Sequence, residues 1–239
     1  MGRQILIIQT AFIGDVILAT SLLECIHAHE PDAQMTVLVR EGNESLLQDH
    51  PFIHAVWTWE KRRAKYSGLL RLMRRIRQQR FDAVINAQRF ASTGFLTAFS
   101  GATQRIGFDK NPFSAWFTRT VHHEISKPDD AAIIHEVQRL QALYNPSDAT
   151  IHRPKLYPST EDQQAITEWI QTPFITISPS SVWPTKQVPS EVWSALIEQV
   201  SLPVFLLGSP QDAAMCQELA GGRAHVRVLA GRLTLLQSA

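Results

Sequence analysis

Three short segments hold the residue types that chemistry needs. The first is Thr10-Ala11-Phe12-Ile13-Gly14-Asp15, lying between an apolar run and a repeat with helical spacing. In open α/β sheets ligands bind beyond the carboxyl ends of strands, so a carboxylate in such a loop, Asp15, is placed to take a proton from an attacking hydroxyl. A helix N-terminus favours an ionised carboxylate, which keeps it available as a base while making it a weak one. Asp is also a preferred helix cap, and spacing alone favours that use. Gly14 would permit a tight turn or the close approach of a ligand to the backbone.

The second segment is Ser178-Pro179-Ser180-Ser181-Val182-Trp183-Pro184-Thr185-Lys186, after an expected strand and before an expected helix. The hydroxyls of Ser178, Ser180, Ser181 and Thr185, the loop amides and the Lys186 ammonium suit a diphosphate held without a metal. The bland alternative is a polar loop with a solvated lysine. The glycines of a Walker loop are missing, and no G-x-G-x-x-G follows a strand, which argues against a nicotinamide dehydrogenase.

The third segment, residues 61–80, contains nine basic residues, including Arg62, Arg63 and Lys65, and no acidic one. Leu69, Leu70, Leu72, Met73 and Ile76 would form the apolar face of a helix and the arginines the opposite face. Such a helix suits phosphorylated lipid headgroups or nucleic acid, or is simply a solvated face. The separation of the arginines from aromatic residues argues against single-stranded nucleic acid. His122, His123 and His135 have no cysteine or carboxylate cluster at ligand spacing, and no Asp-x-Asp pair is present, so the expectation is a metal-independent site.

The elements that must position these residues follow from periodicity. The 239 residues allow one large domain or two modest ones, and 44% apolar against 19% charged residues predicts a folded, water-soluble protein. A formal charge of +1 makes local clustering, not the overall field, the source of any attraction to anions. Cys25 and Cys216 suggest neither a disulfide framework nor a zinc cluster and fit a reducing, cytoplasmic setting. The apolar run at residues 5–8 is far below the roughly 20 residues that span a bilayer.

Residues 4–9 read as a strand, 15–28 as a helix and 35–39 as a second buried strand; strands at 81–86 and 105–108 and a helix at 92–100 continue the alternation. A helix is expected over residues 130–144, closed by Asn145-Pro146. Residues 145–160 carry three prolines and read as a stiff linker between a domain at 1–150 and a second at 160–239. In the second, helices are expected at 161–170, 190–200 and 211–219 and strands at 174–177, 204–207 and 226–229, with a helix start at 234–239. Alternating strands and helices predict parallel sheets covered on both faces, the second with three strands and incomplete.

Several of these segments together resemble glycosyltransferase family 9, the lipopolysaccharide heptosyltransferases. Ile5-Leu6-Ile7-Ile8-Gln9 through Ile13-Gly14-Asp15-Val16 and Ala19-Thr20 is similar to that family's opening. Phe81-Asp82-Ala83-Val84-Ile85 through Gln88, Gly101-Ala102 with Arg105-Ile106-Gly107-Phe108, and His135-Glu136-Val137 with Arg139-Leu140 resemble the rest of its N-terminal domain. Trp183-Pro184-Thr185-Lys186, Pro189, Trp193 and Leu207-Gly208-Ser209-Pro210-Gln211-Asp212 resemble its nucleotide-binding domain. The likeness runs along essentially the whole chain, and the order of the motifs is more specific than any one of them.

The resemblance implies a GT-B-like α/β fold of two Rossmann-like, doubly wound domains, the first binding the acceptor and the second the nucleotide sugar. It implies inverting, metal-independent transfer of heptose from ADP-heptose to the phosphorylated lipid A–core acceptor of lipopolysaccharide, with no cofactor and no nucleic acid partner. Asp15 would be the catalytic base. Lys186, Thr185, Ser178, Ser180 and Ser181 would bind the donor, and Gly14, Arg62, Arg63, Lys65 and Gln88 the acceptor. The basic helix would meet the anionic inner face of the membrane, making the protein cytoplasmic and peripheral. Asn86 stands where the family often has Asp, and Arg89 where Gly is usual. The family's further strand, a loop resembling Asp-Ser-Gly-Pro-x-His and a closing helix are missing, so a C-terminally truncated chain is expected, with an exposed sheet edge. Two alternatives stand beside this reading: an inactive remnant that binds anionic lipid or a partner, and a GT-B transferase for another sugar nucleotide.

Overall fold

The computed structural model of the protein describes residues 2–60, 65–126 and 134–239, without the side chains at 65 and 66. The chain forms two compact units, Met1–Tyr157 and Pro158–Ala239.

The first unit runs β1 (Gln4–Gln9), α1 (Ile13–His29), β2 (Gln34–Arg40), β3 (Ile53–Trp59), α2 (Lys65–Gln79), β4 (Ala83–Asn86), α3 (Ala91–Ala98), β5 (Gln104–Phe108), β6 (Arg119–Val121) and α4 (Glu136–Ala142). Its six strands are all parallel, in the order β3-β2-β1-β4-β5-β6. Ile5, Leu6, Ile7 and Ile8 are fully buried, as a continuous apolar strand covered on both faces must be. The order reverses between β1 and β4, where a crevice opens at their carboxyl ends.

In α2 the expected division of faces holds except at Leu70, which was expected on the apolar face and is exposed. Leu72, Met73 and Ile76 are buried with Trp57 and Trp59 of β3, while Arg71, Arg74 and Arg77 are exposed. The Arg75 guanidinium lies 3.7 Å from the centre of the Trp57 ring. Periodicity did not single out β3 and β6. One is an edge strand with only Trp57 and Trp59 buried, and the other is a three-residue edge.

The helix expected over 130–144 is shorter. Among the described residues it begins at Glu136, because the His135 ring accepts a hydrogen bond from the Val137 amide and caps it. Val137, Leu140 and Leu143 are buried as its apolar face, Ile134 is exposed ahead of it, and residues 130–133 lie outside the described residues. Part of the stretch read as a linker also packs onto the first unit. The Lys155 amide donates to Thr20 Oγ1 (2.8 Å) and the Tyr157 hydroxyl to Glu24 (2.7 Å), both on α1. Pro154 and Pro158 favour an extended backbone for this strap, and its polar groups find partners on the helix.

The second unit runs α5 (Thr160–Ile166), β7 (Ile175–Ile177), α6 (Ser190–Glu198), β8 (Val204–Leu206), α7 (Ala213–Ala220) and β9 (Val226–Val228). Its three strands are parallel in the order β7-β8-β9 and enclose a small core that includes Ile177, Ile197, Leu206 and Cys216. Residues 234–239 make a single turn, with the Ser238 amide donating to the Thr234 carbonyl. Among the described residues no helix is long and apolar enough to cross a membrane.

Candidate active site

In the first unit, the carboxyl ends of β1, β2, β4 and β5 border a pocket of about 790 Å³. Asp15 and Gln88 line it together, joined by residues that local sequence pattern does not assign to a site: Arg40, Lys110 and His123, with Arg89 beside Gln88.

Asp15 does not cap α1. The helix begins at Ile13, two residues earlier than expected, with Phe12 in the cap position. Asp15 sits in the first turn, where Oδ2 accepts a hydrogen bond from the Phe12 amide (3.2 Å). Phe12 has no side-chain acceptor, so only the return half of a capping box exists. The Asp15 carboxylate is exposed at the pocket rim. Gly14 lies in the same turn with a negative φ, so no left-handed turn explains it. A methyl group there would meet no atom of the described residues within 4 Å, which leaves this backbone accessible to another molecule as far as they are concerned.

Gln88 is positioned from below. Its amide N–H donates to Asn86 Oδ1 (3.0 Å), and its carbonyl accepts from Asn111 Nδ2 (3.3 Å). Its side-chain oxygen accepts from the Thr10 hydroxyl (2.7 Å), while Nε2 is buried with no hydrogen-bond partner among the described residues. A buried amide with one polar atom left over beside a pocket is suited to bonding a polar ligand. His123 is buried against Phe108, with ring centres 4.8 Å apart. Burial, reinforced by the Arg89 cation, lowers its pKa from the ordinary value and favours the neutral ring. Arg40, Arg89 and Lys110 outnumber Asp15 and Glu136 around the pocket, so its lining favours a polyanionic ligand.

Arg62 and Arg63 lie outside the described residues, as does the Lys65 side chain. The strand-end rule that picked out Asp15 also marks Arg40 and Lys110, each close behind or at the end of a strand.

In the second unit, the loops after β7, β8 and β9 meet at the carboxyl edge of the sheet. Ser180 reaches Asp212 in the loop after β8. The Ser209 hydroxyl and amide (2.7 Å from the amide), together with the Ser180 hydroxyl, hold Asp212 below the ordinary carboxylate range. Gly231, after β9, donates its N–H to the Gly208 carbonyl (2.9 Å). Its φ is +73°, and a Cβ there would stand 2.7 Å from Pro210 Cα, so a side chain is doubly excluded. Ser181 is committed to its own loop, accepting from the Trp183 amide at Oγ (3.2 Å) and from Gln187 Nε2 at its carbonyl (2.7 Å). Ser178, Thr185 and Lys186 are exposed, Thr185 and Lys186 on a short helical turn over Pro184–Lys186. The rim therefore offers hydroxyls and one ammonium, with Asp212 already satisfied.

Comparison with known proteins bears on the family and the fold. A lipopolysaccharide heptosyltransferase 1 from Pseudomonas aeruginosa is 23% identical over 231 residues, covering 91% of this chain and 63% of the relative. One of the same name from Campylobacter coli is 24% identical over 121 residues, covering 51% of this chain and 35% of the relative. The chain thus spans less than two thirds of the length of either curated relative. The solved E. coli heptosyltransferase WaaC with ADP superposes with a TM-score of 0.72 at 22% identity, covering 97% of this chain and 75% of that one. That likeness shows the GT-B-like α/β fold expected from the sequence. The family model for glycosyltransferase family 9 (heptosyltransferase) matches residues 69–239, well over half of the chain, and to that family the chain belongs.

Proposed function

We propose that this chain is the acceptor-binding and nucleotide-binding part of an inverting heptosyltransferase that moves heptose from ADP-heptose to the phosphorylated lipid A–core acceptor. The observation that carries the reading is the meeting of Asp15 and Gln88 in one cation-lined pocket at the point where the strand order reverses. Residues 1–150 would hold the acceptor and 160–239 the donor, as the family resemblance implies; the names of the relatives and the ADP present with the solved WaaC support heptosyl transfer from an ADP-sugar.

In this reading Asp15 takes the proton of an acceptor hydroxyl as its oxygen attacks the anomeric carbon. The carbon–oxygen bond to ADP breaks on the opposite face, ADP leaves with the bonding electrons, and the configuration inverts. Lys186 offsets the charge that gathers on the departing diphosphate, with Thr185, Ser178, Ser180 and Ser181 as hydrogen-bond donors. Gly14 allows close approach of the acceptor, and Gln88 Nε2 donates to it. Arg62, Arg63 and Lys65 would meet its phosphates. The Lys186 ammonium takes the place of a metal because the sequence has no Asp-x-Asp pair for a divalent cation. The protein would work in the cytoplasm, at the inner face of the membrane.

A transfer assay with ADP-heptose and lipid A–core acceptor tests this. Transfer by the chain, falling about 10²- to 10⁴-fold in Asp15→Asn with ADP affinity unchanged, is the expected result. The exposed arginine face of α2 favours a second reading, a binding module without activity. Absence of ADP binding together with retained capture by anionic vesicles would select it. Preference for another sugar nucleotide in the same assay would keep the mechanism and change the donor.

A further inference from the structure

Far from this pocket, Cys25 and His29 on the last turns of α1 face Asp148 and His152 in the segment after α4. The four potential ligand atoms all lie within 4.8 Å of one another. Asp148 Oδ2 is 3.3 Å from His29 Nε2 and 3.6 Å from His152 Nε2. A tetrahedral ion with bonds of roughly 2.0–2.3 Å holds its ligands about 3.3–3.8 Å apart, so both histidines already have that spacing to Asp148, and the full set lies within about an ångström of it.

The surroundings point the ligand atoms inward. His29 Nδ1 lies 2.8 Å from the Cys25 carbonyl and donates to it, which leaves the lone pair on Nε2, facing the cluster. Asn145 Nδ2 approaches the same Nε2 at 3.4 Å as a donor, which agrees with that tautomer, and the ion would displace this long contact. A histidine fixed through one nitrogen by a backbone carbonyl is the usual arrangement of a metal ligand. Asp148 Oδ1 is held by the Thr150 amide (2.8 Å), and the His152 backbone is clamped by Gln141 of α4 through both its N–H (3.3 Å) and its C=O (2.5 Å). Asp148 Oδ2 and His152 Nε2 are nonetheless buried with no hydrogen-bond partner among the described residues. Two buried polar atoms without partners, each on a side chain or backbone held from behind and within 4.8 Å of a thiol and a second imidazole, have the donor set of a cation site.

We propose that Cys25, His29, Asp148 and His152 form a structural site for a zinc-class divalent cation that fastens the end of α1 to the segment after α4. Two neutral imidazoles, one thiolate and one carboxylate around a doubly charged ion give zero net charge, which suits a buried site. The mixed N, S and O donor set fits zinc better than magnesium or calcium. A cysteine thiol with an ordinary pKa of about 8.5 is protonated at neutral pH until the ion arrives. Formation of the metal–sulfur bond then releases that proton to solvent. Cys25 follows Asp15 by ten residues on the same helix, about 15 Å along its axis, so the ion would have no part in the transfer step.

The test uses untagged full-length protein, stripped with a chelator and titrated with Co²⁺ and then Zn²⁺. The expected result is one Co²⁺ per chain with tetrahedral d–d absorption and a thiolate charge-transfer band. Zinc should displace it stoichiometrically without further proton release, whereas binding of either ion to the stripped chain should release about one proton per ion and raise the melting temperature. Cys25→Ser should abolish the charge-transfer band, and His152→Ala should weaken binding at least about 10-fold, whereas Cys216→Ser should leave both unchanged. Absence of the tetrahedral spectrum in the native chain, or equal uptake by a Cys25→Ser/His152→Ala variant, would overturn the site. Far-UV circular dichroism separates lost ligands from a lost fold, and His29→Gln is the second variant if Cys25→Ser does not fold.

Discussion

At the scale of single residues, Gln88 and His50 show how burial decides what a polar group can do. Gln88 spends one amide atom on Thr10 and keeps Nε2 buried beside the pocket without a partner among the described residues. In Gln88→Leu the hydrogen bond to Thr10 is lost, but so is the cost of the unpaired donor, so stability should change by no more than about 1 kcal/mol. The acceptor should lose a donor it needs. The KM for acceptor is expected to rise about 10-fold with the donor constant unchanged, equivalent to about 1.4 kcal/mol. Steady-state kinetics in both substrates, with a urea melt, checks the split, and a fall in stability with no change in KM would make Gln88 purely structural.

His50 is 5% exposed, stacked edge-on to Tyr157, and its Nε2 lies 3.8 Å from Glu24, too far for a hydrogen bond. Glu24 is already taken by the Tyr157 hydroxyl (2.7 Å), so the carboxylate does not rescue the charged imidazole. Burial, then the charges of His27 and Lys155, push His50 from 6.5 down to about 4. The folded state therefore binds fewer protons here than the unfolded chain. Its contribution is complete above pH 6.5 and is lost as pH falls toward 4, about 3 kcal/mol in all at 1.36 kcal/mol per unit. Urea melts at pH 7 and pH 4.5 should show that loss in the native chain and a smaller one in His50→Gln. Equal losses in the two proteins would mean that His50 is not the group responsible.

At the scale of elements, the pocket depends on how α3 meets the loop after β5. Asn111 donates to the Gln88 and Phe90 carbonyls (3.3 and 3.2 Å), and a Cβ on Gly94 of α3 would stand 2.0 Å from its Oδ1. Gly94→Ala should drive Asn111 off both carbonyls, costing about 1–3 kcal/mol and loosening the loop that carries Lys110. A thermal melt and the acceptor KM should worsen together, and a melt like that of the native chain would show that the loop gives way without loss. The longer helices and β1 and β2 were legible from their apolar periods, and the three-residue strands β7, β8 and β9 from their concentration of Ile, Val, Phe and Leu. β3 escaped because, at the sheet edge, only Trp57 and Trp59 are buried. β6 escaped because Arg119-Thr120-Val121 holds a single apolar residue and buries none fully. The same limit applies to the sites. Asp15 and the Ser178 to Lys186 loop stand out by their local types, whereas Arg40 and Lys110 join the pocket only through strand order. The Cys25 cluster was invisible for a similar reason, since its two i,i+4 pairs are separated by more than a hundred residues and meet only when the strap folds along α1.

At the scale of the whole molecule, a formal charge of +1 supplies almost no long-range pull toward an anionic surface, so any membrane attachment has to come from one face. The described part of α2 provides such a face. Leu72, Met73 and Ile76 are used inward, Arg75 stacks on Trp57, and Arg71, Arg74 and Arg77 stand outward in solvent. A basic residue near an anionic bilayer contributes about 1 kcal/mol, so these three together account for about 3 kcal/mol, a factor of roughly 100 in partitioning. The triple variant Arg71→Glu/Arg74→Glu/Arg77→Glu is expected to lose at least that factor on vesicles rich in phosphatidylglycerol. Native binding to the same vesicles should fall steeply with added salt, because the Debye length shortens to about 8 Å at physiological ionic strength. Neutral phosphatidylcholine vesicles should bind neither protein, and ADP affinity should be the same in both, since the substitutions leave the buried side of α2 and the whole second unit untouched. Equal sedimentation of the native and triple-variant proteins with anionic vesicles would show that the arginine face is only a solvated surface and that the acceptor is met by other means.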